Sequence, residues 1–123
     1  LENIGYLTLS QISYQITDFG AYSQTNMIDF IDSGILFLRN QDIKESFVDF
    51  GDNVYIDKSV FEKLTLKLQE FDIVIPRVGT LGNAAIIEAK HLPCSANQNL
   101  AVIRLKKEYN PYFVTLFFII IFW

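Results

Sequence analysis

The chain has 123 residues, half of them hydrophobic, and a formal charge of −4 at pH 7. That length suits one domain over 1–123 with a single core, and the lone Cys94 excludes an internal disulfide and fits a reducing, cytoplasmic setting. The acidic balance excludes a free-standing nucleic-acid binder that relies on a basic surface of its own. In chain order, "YLTLSQISYQI" (6–16) mixes alternation with β-branched residues and predicts a short strand or a strand plus a turn. "TDFGAYSQTNMIDFIDSG" (17–34) has no clean period and predicts a long exposed loop, a feature that in small domains usually has a function. "ILFLR" (35–39) and "NVYI" (53–56) predict strands joined by a polar connection. Asp57 is placed to cap a helix through 58–64, with Val60, Phe61, Leu64 and Leu68 on one face and Lys58, Glu62 and Lys63 facing water. "FDIVI", a glycine turn and "AAII" predict a hairpin over 71–87, and "NLAVIRL" (99–105) a further strand. Asn110-Pro111 predicts the start of a last helix, with Asn as cap and Pro in the first helical position.

The order is strand-rich with a short mid-chain helix and a C-terminal helix, and shows no βαβ alternation. It predicts an α+β fold on a curved, mainly antiparallel sheet. No basic leader followed by an apolar stretch opens the chain, which argues against a secretory signal. The apolar run from Tyr112 to Trp123 is shorter than the roughly 20 residues a membrane helix needs, so it reads as the beginning of a buried helix.

Few residues suggest catalysis. His91 and Cys94 lie three apart in "KHLPCS", but the chain has no other His or Cys. Structural zinc wants four ligands and a catalytic thiolate wants an oriented base, so a small buried cysteine in a loop is the expected arrangement. "DFGD" (49–52) stands without the lysine strand and catalytic loop of a kinase, and no phosphate-binding loop or calcium loop occurs. The sequence predicts a non-enzyme without cofactor or metal.

Polar groups instead gather beside glycines and strand ends, in 39–42, 77–83 and 95–99. Arg, Asn and Gln carry paired donors and acceptors that match base edges, although each can equally satisfy backbone groups in a turn. Tyr22, in the long loop, could stack on a base or wedge into a base step.

"GILFLRNQDIK", "YIDKSVFEKL", "FDIVIPRVGTLGNAAII", "SANQNLAVIR" and "NPYFVTLF" follow one another in this order. Together they resemble a target recognition domain of the specificity subunit of type I restriction-modification systems. The resemblance spans residues 6–117 and implies a non-catalytic module that reads one half of a split site in double-stranded DNA. Its implied partners are adenine-N6 methyltransferase subunits and a motor-nuclease restriction subunit. A similar domain also occurs fused behind the methyltransferase in single-chain enzymes. Members share the glycine turn yet read different sequences, so the resemblance gives the Arg77 side chain and the backbone of the turn through Gly79, Thr80 and Gly82 a positioning role on phosphate or on the DNA-facing loop. Asn97 and Gln98 become scaffold by the same reasoning. Base readout falls to Tyr22, Gln24, Thr25 and Asn26 in the long loop and to Arg39, Asn40 and Gln41.

Two departures stand out. At the DNA-binding candidate Asn83 many relatives carry a basic residue, which implies one phosphate contact fewer here, and "FIIIFW" replaces the polar continuation of the last helix, which implies an incomplete domain. The acidic balance and the apolar C-terminus also fit a rival, a protein-interaction module or a truncated, non-binding remnant.

Overall fold

A computed structural model describes residues 13–18, 28–77 and 82–121. Through these residues the chain runs β1 (Ser13–Asp18), β2 (Ile35–Leu38), β3 (Val54–Ile56), α1 (Lys58–Lys63), β4 (Ile73–Pro76), β5 (Ala85–Ile86), β6 (Cys94–Ala96), β7 (Leu100–Leu105) and α2 (Pro111–Ile121). Single 3-10 turns lie at Asn40–Asp42 and Ala89–His91. The fold is α+β.

The strands form two sheets where one was expected. The four-stranded sheet, in the order β1-β7-β4-β5, is antiparallel throughout. The three-stranded sheet, in the order β3-β2-β6, joins one antiparallel pair to one parallel pair. β6 is the reason for the difference: Cys94, expected in a loop, lies in this strand opposite Leu36. The chain then turns at 97–99 and enters the other sheet as β7.

Alternation along the strands distributes the side chains over three apolar layers. Leu36 and Leu38 of β2, Cys94 and Ala96 of β6, Val74 of β4, Ala85 of β5, and Leu100 and Val102 of β7 meet between the sheets. Phe37 and Ile56 face the other way, under Val60, Phe61 and Leu64 at α1. Ile73, Ile75, Ile103 and Leu105 face outward from the four-stranded sheet and carry Val114, Phe118 and Ile119 of α2. The layers are therefore helix, sheet, sheet, helix. Gly34 permits the entry into β2, since its φ is +153° and an added Cβ would fall 2.6 Å from the Ile56 carbonyl oxygen.

Both helix starts match the sequence expectation. The Asp57 carboxylate accepts from the Ser59 N–H at 2.9 Å. The Asn110 side-chain oxygen accepts from the Tyr112 N–H at 2.8 Å and from the Phe113 N–H at 3.4 Å, with Pro111 next in the chain. Lys58, Glu62 and Lys63 are exposed, as predicted. The end of α1 differs. The helix stops at Lys63, Leu64 is extended (φ −74°, ψ 138°), and Leu68 packs between the sheets instead of under α1. No helix of the described residues is long and apolar enough to cross a membrane.

Candidate nucleic-acid interface

The three polar segments singled out in the sequence emerge at one end of the two sheets. Parallel pairing of β2 with β6 sets Leu38 against Ala96, and the Asn97 N–H donates to the Leu38 carbonyl at 2.8 Å. Arg39 and Asn97 thus leave the smaller sheet side by side. In the larger sheet Pro76 lies opposite Leu100, and the Arg77 N–H donates to the Asn99 carbonyl at 2.8 Å. The turn at 97–99 therefore spans from Arg39 to Arg77. It is closed from within, because the Asn99 N–H donates to the Asn97 side-chain oxygen at 2.8 Å and the Leu100 N–H to the Asn97 carbonyl at 3.0 Å.

The returning arm of the hairpin joins the same end. β4 and β5 pair antiparallel, Ile73 with Ile86 and Val74 with Ala85. Gly82, at φ +89°, takes a conformation that suits glycine. Beside it, the Asn83 side-chain amide donates to the Ile43 carbonyl at 3.0 Å, and the Ser46 N–H donates to the Ala84 carbonyl at 2.9 Å. Residues 39–46, Arg77, 82–84 and 97–99 thus form one continuous polar end. Tyr22, Gln24, Thr25, Asn26, Gly79 and Thr80 lie outside the described residues.

Arg39 and Asn83 both carry structural bonds here. The Arg39 N–H donates to Asp42 Oδ2 at 2.8 Å, and its guanidinium reaches the same buried carboxylate through Nε at 3.3 Å and Nη2 at 3.1 Å. Nη2 also donates to the Asp52 carbonyl. Such charge-assisted contacts hold the 3-10 turn shut and neutralise the guanidinium locally. The side-chain N–H of Asn83 is engaged with Ile43, while Gln41 and Arg77 are exposed. Glu45 and Asp52 are exposed and Asp49 is partly exposed, so the surroundings of this end are not basic.

His91 and Cys94 do not form a reactive pair. Burial pushes the Cys94 thiol up to about 12, with the nearby Asp72 charge adding to the effect, so it stays protonated. His91 titrates below its ordinary value, because burial and then Lys90 disfavour the imidazolium. Its Nδ1 accepts from the Glu88 N–H at 2.8 Å, and its ring stacks on Phe50 at 5.2 Å. Among the described residues no group of His, Cys, Asp and Glu could hold a metal ion. "DFGD" is a turn in which the Gly51 N–H donates to the Asp49 carboxylate at 2.8 Å.

Sequence reasoning missed the opposite end of the larger sheet. Asp72 is fully buried and receives both Nε and Nη2 of Arg104 at 2.8 Å, together with the Gln69 N–H at 2.8 Å. A cleft of about 890 Å³ opens beside this pair, lined in part by Phe71, Lys106, Tyr109 and Tyr112. Its only sequence signal was an arginine inside an apolar strand. Ser95, whose hydroxyl donates to the Leu66 carbonyl at 2.9 Å, also proves structural. No protein-family model matches this chain, and no curated protein matches it.

Proposed function

We propose that this chain is a DNA target recognition domain of the kind found in type I restriction-modification specificity subunits, reading one half of a bipartite duplex site. The observation that carries the reading is the convergence of 39–46, Arg77, 82–84 and 97–99 at one end of the sheets. Segments far apart in the sequence there present amide, backbone and guanidinium groups together, the groups that contact phosphates and base edges. Arg77 and the glycine turn orient the duplex. Arg39, held by Asp42, braces the turn that displays Gln41, and the loop at 18–33 supplies most of the readout.

In this reading the chain has no catalytic role and works in the cytoplasm. Adenine-N6 methyltransferase subunits, and a motor-nuclease subunit where present, provide the chemistry. The deciding experiment replaces residues 18–33 by the corresponding loop of a domain with a different target, within the assembled methyltransferase, and maps N6-methyladenine across a genome. A changed methylation sequence is expected. An unchanged map with full activity rules out the readout assignment.

A protein-interaction module is the second reading, favoured by the row of exposed apolar side chains on α2. It predicts that the assembled methyltransferase acts at the same sites whether or not this chain is present.

A further inference from the structure

α2 contains no charged residue from Pro111 to Ile121. Val114, Thr115 and Ile119 turn inward and are buried, whereas Tyr112, Phe113, Leu116, Phe117 and Ile120 are each 53–64% exposed. Their spacing of one, three and four residues is that of a single helix face. A helix apolar on every side is normally covered on every side, and the sheet covers only half of this one.

We propose that the outward face of α2 is a self-complementary docking surface on which a second copy of this chain packs, its helix antiparallel to the first. Area supports this occupant. Large apolar side chains expose about 150–250 Å² each when fully open, so five at the observed exposure present roughly 430–720 Å². Two such faces, fully covered, bury roughly 900–1,400 Å², around the lower edge of what a specific interface needs. A charged partner would find nothing to pair with on this face, while an identical apolar face meets it group for group.

Charge sets the orientation. Lys106, Lys107 and Glu108 are exposed just before α2 begins and carry a net charge of +1. In an antiparallel pair this net positive charge lies towards the carbonyl end of the facing helix, where it is favoured, and a parallel pair would set it beside its own copy. Packing about the point between Leu116 and Phe117, the centre of the exposed face, brings Leu116 against Phe117 of the second copy, and Phe113 against Ile120 of the second copy. The inference is independent of the DNA reading.

Light scattering coupled to size exclusion, over a micromolar dilution series of the 123-residue chain, tests it. A reversible monomer–dimer equilibrium is expected, with Leu116→Glu raising the dissociation constant about a hundredfold or more through like charges at the centre of the interface. Phe30→Ser, at an exposed aromatic packed on Phe37 in the α1 layer, should leave that constant unchanged. The Phe113→Cys/Ile120→Cys chain gives a second readout that needs no charge in the interface. It should cross-link to a dimer with a short bis-maleimide, while Phe113→Cys alone should not, and buried Cys94 should stay silent. A chain that is monomeric throughout, that grows without limit, or that dimerises unaffected by Leu116→Glu overturns the proposal. A monomer that co-sediments with phosphatidylcholine vesicles overturns it in favour of a lipid surface.

Discussion

Asp72 and Arg104 show how much one ion pair can matter when one partner is inaccessible to water. Three donors fill the carboxylate, so its burial is tolerated only while they remain. Arg104→Met strands the charge and is expected to lower stability by about 3–5 kcal/mol in urea denaturation. Asp72→Asn combined with Arg104→Met keeps an acceptor for Gln69 and strands no charge, so the double variant should lose less than Arg104→Met alone. His91 gives the pH counterpart. Its Nδ1 must be unprotonated to accept from Glu88, and its lowered pKa means that the native state binds the proton less readily than the unfolded chain. The stability it contributes is therefore complete above about 6.5 and declines as pH falls through the lower native value. The urea midpoint should drop between neutral pH and the point where carboxylates begin to titrate. In His91→Asn, whose side-chain oxygen can still accept from Glu88, that stretch of the profile should be flatter.

At the level of elements, the caps were legible because their chemistry is local. Asn110 precedes Pro111 directly, and its side chain reaches the next two amides without help from the rest of the fold. Asn110→Ala should cost about 1 kcal/mol in thermal or urea unfolding, with Asn110→Asp close to neutral. At Asp57 the bonds from Ser59 hold the carboxyl below its ordinary value, so that cap fails only as pH falls below about 3.8. The end of α1 was misread because Leu64 and Leu68 keep helical spacing. In the fold, Leu66 and Leu68 follow the two-residue period of an extended segment beside β6, where the Leu68 N–H donates to the Cys94 carbonyl at 3.0 Å. β6 itself was invisible: His91, Pro93, Ser95 and Asn97 look like turn formers, and only parallel pairing with β2 makes 94–96 a strand. The same pairing explains why the candidate interface was half legible. Each polar segment stood out by composition, but nothing local reveals that Asn97 lies beside Leu38 or that Asn83 reaches Ile43.

Across the whole molecule, the polar end and α2 make different demands on solvent. β7 runs from one to the other: Leu100 begins beside the 97–99 turn, and the chain leaves Leu105 for the cleft and the start of α2. Only the start of α2 lies at the end remote from the polar groups, while its body packs over β5, next to Ala84 of the polar end. The net charge of −4 weakens any long-range attraction for duplex DNA, and Arg39, the one other arginine at this end, is already committed to Asp42. Under the proposed function, appreciable DNA affinity requires basic surface from partner subunits, with this chain contributing few phosphate contacts of its own. In that reading Arg77, exposed at the mouth of the hairpin and fixed through its backbone to Asn99, is the most direct of them. In the assembled complex, Arg77→Ala should weaken target and non-target duplexes by the same factor. The slope of log affinity against log salt should become shallower by about one, the signature of one lost phosphate contact. Fluorescence anisotropy over a salt series measures both quantities. A variant that kept its affinity and slope but methylated a different sequence would move Arg77 from positioning to readout, and would make the glycine turn part of the code.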